Sequence, residues 1–284
     1  MMMRWTIWSL AVLIVVGIGC RRYRKDLDYD YDVVQTWEVD ALQYGSIVQF
    51  ESVFWEPDDS ASLRELIIEK EICSGRSVLE IGTGTGLISI LCAQNDADSV
   101  VATEINPAAV ANARYNAAML ADGLSIEVRQ VSEKTPGAYS VIRDKERFDL
   151  ILSNPPWEDG KIAKPADYAF YDPDFALMDS LLDGLPKHLN PGGRCLLAYG
   201  HVPAIQRLQA AAKERGYQIE VLDERELSEL PQDFLPGMLV EIRLPLAGSR
   251  QADATKSQPS TAANTEPSTP NDVPLESESD VVGQ

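Results

Sequence analysis

The chain is short of positive charge, histidine and cysteine: in 284 residues, 25 Lys and Arg face 44 Asp and Glu, with two His and four Cys. Each shortage excludes something. A domain that neutralises a phosphate backbone needs a basic stripe, and no Lys/Arg cluster stands between residues 41 and 246. A protein partner is therefore favoured over nucleic acid. Cys20, Cys73, Cys92 and Cys195 have no CxxC or other ligand spacing, and His188 and His201 have no metal-ligand companions, so no metal is expected. The run "DLDYDYD" lacks the glycine and distal glutamate of an EF-hand loop and reads as solvated acid rather than a calcium site. No internal repeat is evident. What is plentiful is apolar material, 45% of the residues, enough to fill the core of one large domain.

The two ends depart from that domain. An uncharged run from Trp5 to Cys20 would extend about 24 Å as a helix, against a hydrocarbon core of roughly 30 Å. Snorkelling of Arg4 and Arg21 shortens the gap. Only Arg4 precedes the run, whereas Arg21, Arg22, Arg24 and Lys25 follow it, a bias that keeps the following chain in the cytoplasm. The expectation is an N-terminal transmembrane helix within residues 1–25 that anchors a cytoplasmic domain. A cleaved signal peptide, or a lipoprotein signal ending at Cys20 in "VGIGC", is the exported alternative. Residues 26–40 read as an acidic spacer and 41–246 as the folded domain. Residues 247–284, rich in Ser, Thr, Pro and acid and without one aromatic residue, read as a disordered tail.

Within 41–246, seven apolar runs alternate with helical patterns: 77–81, 99–105, 125–131, 148–153, 194–200, 217–223 and 239–246. Strand, helix, strand in repetition predicts a mostly parallel sheet with helices on both faces, and ligands bind at the carboxyl ends of such strands. The first run leads into "EIGTGTG", where Gly82, Gly84 and Gly86 alternate into a helix. Such a loop lets backbone approach a ligand, or is simply a tight turn. The second ends in Glu104, 18 residues beyond Gly86, placed to accept hydrogen bonds from the ribose hydroxyls of an adenosine ligand. Asn106 and Pro107 behind it form a helix cap and first turn. The fourth run ends in "SNPPW", residues 153–157: an amide, two fixed φ angles and an aromatic plane at one strand end.

In this order the motifs resemble the class I S-adenosylmethionine-dependent methyltransferases, and "NPPW" resembles the branch that methylates planar nitrogens. From about Val53 to Tyr217 the chain is most similar to the HemK-type protein glutamine methyltransferases: "FWEPDDSASLRELI" before the first strand, "NPPW" for that family's Asn-Pro-Pro-Tyr, and the later "FYDPDFALMDSLLDGLPKHLNPGGRCLLAYG". The resemblance implies a Rossmann-like, doubly wound α/β fold with a seven-stranded sheet and an antiparallel last strand. It implies S-adenosyl-L-methionine as cofactor, with Glu80, Gly82, Thr83, Gly84 and Gly86 around its methionine part, Glu104 on the ribose, and Ile105 and Asn106 beside the adenine. Asn154, Pro155, Pro156 and Trp157 would orient the acceptor nitrogen, with Asn154 also bordering the cofactor. Three departures stand out. Trp157 replaces a tyrosine, Ser132 or Glu133 stands where an acid usually meets the adenine amine, and residues 1–40 occupy the place of the helical substrate domain. The expected reaction is N-methylation of a protein amide such as glutamine. N-methylation of adenine or guanine in nucleic acid is the alternative, and a tethered, catalytically silent cofactor-binding protein is the alternative of another class.

Overall fold

The computed structural model describes residues 24–245 apart from positions 56 and 233. The expected membrane segment Trp5–Cys20 and the expected disordered tail 247–284 lie outside the described residues. Among the described residues no helix is long and apolar enough to cross a membrane.

Among the described residues the first elements form a hairpin, β1 (Val33–Glu38) and β2 (Ser46–Phe50), paired antiparallel as a separate two-stranded sheet. There follow α1 (Ala61–Glu69), β3 (Ser77–Ile81), α2 (Leu87–Gln94), β4 (Ser99–Glu104), α3 (Pro107–Leu120), β5 (Ile126–Gln130) and β6 (Phe148–Ser153). Then come α4 (Ala176–His188), β7 (Leu189–His201), α5 (Val202–Glu214), β8 (Gln218–Leu222) and β9 (Phe234–Arg243). All seven expected strands form one sheet in the order β5-β4-β3-β6-β7-β9-β8. β5, β4, β3, β6 and β7 run parallel, and the last strand, β9, is antiparallel to both its neighbours. β9 starts five residues before the expected run, at Phe234, and β7 runs on to His201, one residue beyond its expected end.

Period-two alternation sorts the buried residues onto two faces. Leu79, Ile151, Cys195 and Leu197 pack with Leu181, Leu182 and Leu185 of α4 and Ile205 and Leu208 of α5. Val78, Val100, Leu150 and Leu152 pack instead with Leu63 and Ile67 of α1 and Ile90 and Leu91 of α2. The sheet is thus covered on both sides, as parallel strands require. Strand order reverses between β3 and β6, and a crevice opens there, beyond their carboxyl ends.

Residues 26–40, expected as a spacer, instead carry β1. The physical reason lies in α3, whose Asn112 and Asn116 are fully buried and spend their amides on the edge of β2. Asn112 accepts from Phe50 N–H (2.9 Å) and donates to the Val48 carbonyl (2.7 Å); Asn116 accepts from Val48 N–H (3.0 Å) and donates to the Val48 and Thr85 carbonyls (2.8 and 2.9 Å). Side chains one helical turn apart thereby satisfy a strand edge that no third strand covers among the described residues. The acidic segment contributes rings to the same contact: Tyr31 stacks on Phe50, and Trp37 of β1 stacks on Trp55 at 5.4 Å.

Asn112→Ala strands the buried Phe50 N–H and leaves a small void, which should cost about 2 kcal/mol and lower Tm by about 5 °C in a domain of this size. Thermal unfolding followed by circular dichroism checks it; an unchanged Tm would refute the docking role of the asparagines.

Candidate active site

Each expected motif leaves the sheet at the same end. The loop after β3 is drawn toward β4, because Gly82 N–H and Thr83 N–H both donate to the Thr103 carbonyl (2.9 and 3.1 Å). The end of β6 is drawn toward β3, because Ser153 Oγ donates to the Ile81 carbonyl (2.6 Å). Between these ends lies a cavity of about 1000 Å³. Volumes of roughly 300–1,000 Å³ are usual for small-molecule sites, so this one has room for a cofactor and an acceptor group together. Glu80, Gly82, Thr83, Gly84, Glu104, Ile105 and Asn106 line it on one side, and Asn154, Pro155, Pro156 and Trp157 join the same wall system.

Two of the expected residues do not line it. Gly86 caps α2 with φ 87°, and a Cβ there would crowd Ala113 of α3 at 3.2 Å, so its glycine serves the turn and the close packing of α2 on α3. Ser132 is exposed and accepts the Lys134 N–H (3.2 Å); with Glu133 it borders a shallower recess that shares Ile105 with the main cavity.

Two carboxylates dominate the electrostatics. Glu104, 9% exposed, accepts Ile105 N–H and Asn106 N–H on Oε1 (2.8 and 2.9 Å) and Gly84 N–H on Oε2 (2.9 Å). Oε2 with its single donor keeps acceptor capacity for a hydroxyl. Burial raises the pKa of Glu104, and the three backbone donors oppose that rise. Glu80, 4% exposed, accepts from Thr83 Oγ1 (2.6 Å) and from Ser89 Oγ. Burial outweighs these donors and pushes its pKa from the ordinary 4.5 up to about 7. Among the described residues the cavity lining contains no Lys, Arg or His. A buried acidic wall without internal cations suits a ligand that brings positive charge.

Asn106 does double service. Its Oδ1 accepts the Ala108 N–H as cap of α3, and its Nδ2 donates to the Ser52 carbonyl (2.8 Å), holding the approach to α1 against the site.

On the other wall, the Asn154 side-chain oxygen is buried and has no hydrogen-bond partner among the described residues. An acceptor in that state costs free energy until an N–H reaches it, and its place on the cavity wall makes it a mark of a donor ligand. Trp157 is fixed by its indole N–H, which donates to the Ala198 carbonyl (3.1 Å). The chain beyond Trp157 returns over the mouth: Asp172 N–H donates to the Glu158 carbonyl (2.7 Å), and Phe170 meets Phe54 edge-on at 5.3 Å. Asp172, buried at the mouth, accepts Leu177 N–H and Met178 N–H at the start of α4. Sequence reasoning missed Asp172, Phe54, Phe170 and Phe234–Pro236 as lining residues. The first three stand in segments that the resemblance covered but that gave no residue-level signal; the last lies outside it.

Residues 57–220, more than half of the chain, match the family described as methyltransferase small domain. A release factor glutamine methyltransferase of Cereibacter sphaeroides is 34% identical over 60% of this chain and 60% of its own length. A tRNA1(Val) (adenine(37)-N6)-methyltransferase of Phocaeicola vulgatus is 32% identical over 43% of this chain and 51% of its own length. The chain thus spans less than two thirds of either relative. In fold it is similar to a SAM-dependent methyltransferase structure from Agrobacterium tumefaciens, with TM-score 0.51 and 16% identity, covering 74% of this chain and 70% of that one.

The Glu80 carboxyl gives a pH prediction for the ligand-free protein. Unfolded, it ionises near its ordinary 4.5; folded, near 7, so ionising it inside the fold is penalised increasingly as pH rises between those values. Stability should fall over that window by about 3 kcal/mol from this group alone. Glu80→Gln should remove that loss and raise Tm by several degrees at pH 8 but not at pH 5. Thermal unfolding at both pH values checks it, and a variant that tracks wild type at pH 8 would overturn the assignment.

Proposed function

Because the chain belongs to the small-domain family of S-adenosylmethionine-dependent methyltransferases, we propose that it methylates a planar nitrogen, and that the acceptor is a protein amide such as a glutamine side chain. The observation that carries this reading is the buried Asn154 oxygen on the cavity wall, without a partner among the described residues.

An amide nitrogen attacks carbon poorly, since its lone pair is delocalised into the carbonyl. S-adenosylmethionine, when bound, supplies a methyl group made electrophilic by a positively charged sulfur. The protein's part is to orient and localise the lone pair. Asn154 Oδ1 accepts one N–H of the acceptor and the Pro155 carbonyl accepts the other, which aims the lone pair and stabilises the positive charge that grows on nitrogen. Pro155 and Pro156 hold these acceptors still, with Asn154 pushed to extended geometry by the proline after it. The Trp157 plane, fixed by its bond to Ala198, packs on the planar group. No strong base is required, because the methylated nitrogen releases its extra proton readily. At the opposite wall, Glu104 Oε2 would accept a ribose hydroxyl of the bound cofactor and the Glu80 carboxylate would balance the positive charge of its methionine part.

The lining, without Lys, Arg or His among the described residues, supports a protein acceptor over a polyanion, whose phosphates would find no cation there. The tRNA adenine enzyme among the relatives supports a second reading, N6-methylation of adenine, which the same four residues could serve.

One experiment separates the readings: incubation of the purified protein and methyl-labelled cofactor with a lysate, then digestion by protease or by nuclease. Label released by protease is expected; label released by nuclease would favour the base, and cofactor binding without label would favour the silent binding protein. Asn154→Ala should lower kcat by about 10²- to 10³-fold while cofactor affinity stays within about threefold, since its bonds form with the acceptor. Full activity in that variant would refute the mechanism.

For placement, the excess of Arg and Lys after Trp5–Cys20 supports a membrane anchor with the catalytic domain in the cytoplasm, where thiols stay reduced. The domain should be protected from protease in intact cells and cleaved after permeabilisation. Cleavage in intact cells, or a mature N-terminus at Cys20, would refute the anchor.

A further inference from the structure

Beside Trp157 the cavity wall is built by a segment that carries no motif. Phe234, Leu235 and Pro236, at the start of β9, line the cavity. Their backbone is wedged in place at two points. A Cβ on Gly200 would collide with the Leu235 carbonyl oxygen and the Trp157 indole, and a Cβ on Gly237 would collide with the Asp59 carbonyl oxygen. Only glycine allows β9 to lie this close to the end of β7 on one side and to the turn at residues 57–60 on the other.

Phe234 pairs with His201 in the β7–β9 register, and its ring stacks on the His201 imidazole at 5.1 Å and 25°. The same ring lies 6.1 Å from the Trp157 ring at 27°. His201, Phe234 and Trp157 thus make a run of nearly parallel rings at the acceptor side of the cavity. Within that run Phe234 keeps 54% of its surface exposed. A phenyl ring placed by its backbone beside His201 and Trp157 and 54% exposed at a cavity wall presents apolar area that a ligand can cover.

We propose that Phe234 is a specificity-determining residue for the methyl acceptor, extending the aromatic surface of Trp157 so that a flat, uncharged group packs across both rings while Asn154 holds its N–H. This rests on the acceptor site assigned above to Asn154, Pro155 and Trp157. Trp157 alone supplies one plane; Phe234 widens it toward β9, on the far side of β7 from β6 and β3. The contact is made with the acceptor and not with the cofactor, so its loss weakens acceptor binding and leaves cofactor binding and the bound-state rate almost as they were.

The test uses the full chain, methyl-labelled S-adenosylmethionine and a titration of the protein fraction of a lysate. Phe234→Ala should raise the half-saturating amount of that fraction about tenfold. The plateau rate and the cofactor Kd from calorimetry should stay within about threefold. Phe234→Tyr should restore the wild-type titration, whereas Phe234→Leu, apolar but not planar, should behave as Phe234→Ala. An unchanged titration in Phe234→Ala, restoration by Phe234→Leu, or an equal loss of cofactor affinity would overturn the proposal. The underlying site assignment fails differently: wild type that labels nothing, or Asn154→Ala as active as wild type, defeats both, whereas active wild type, silent Asn154→Ala and unaffected Phe234→Ala defeats Phe234 alone.

Discussion

The site depends first on a single tie between neighbouring strands. Ser153, the last residue of β6, donates its hydroxyl to the carbonyl of Ile81, the last residue of β3. The strands already run in parallel register from Val78 beside Leu150 to Ile81 beside Ser153, and the hydroxyl closes the ladder at its final rung. The residue after each end lines the cavity: Gly82 opens the glycine loop, and Asn154 begins the wall opposite. With the two ends tied, the separation between a cofactor and its acceptor is a property of the sheet and not of two independent loops. Parallel strands with reversed connections at this point leave the space between those loops open.

The second constraint is electrostatic. Glu80 and Glu104 are taken out of water, and each receives hydroxyl or backbone donors in partial exchange. Such an arrangement is costly in an empty site and favourable once a cation arrives, because a low-dielectric wall strengthens attraction as much as it penalises isolation. The raised pKa of Glu80 expresses that cost as a proton held in place of the ligand's charge. On the opposite wall the Asn154 oxygen is in the corresponding neutral state, an acceptor kept without a donor. Both walls are therefore under-satisfied in ways that a positively charged cofactor and an N–H-bearing acceptor would relieve.

The hairpin before α1 stabilises the approach to the site. Asn112 and Asn116 pin β2 to α3, and Asn106 at the head of the same helix pins Ser52. Phe54 then meets Phe170 at the cavity mouth. One helix thus presents three buried or nearly buried amides to one incoming segment, and the backbone that enters the mouth is positioned by side-chain hydrogen bonds instead of by a sheet.

What the sequence by itself determined was everything governed by short range. The seven strand runs were legible because apolar residues of the right length alternate with helical patterns. Gly82 and Glu104 were legible from the glycine loop and the strand end they stand in, Asn154 from the amide and two prolines at one strand end, and Glu80 only through the family resemblance. Tertiary structure decided what depends on distant chain segments meeting. The segment 26–40 looks like a solvated spacer from its charge, yet part of it is a strand, because the docking groups belong to α3, more than sixty residues away. Gly86 fits the glycine pattern but faces Ala113, and Ser132 follows the right strand but turns outward, since spacing does not say which way a residue points. Phe234 carries no motif, and its place beside Trp157 follows only from β9 running antiparallel to β7 through the gaps left at Gly200 and Gly237. Local sequence encodes the backbone's preferences; which side chains share a cavity is set by packing, and packing is long-range.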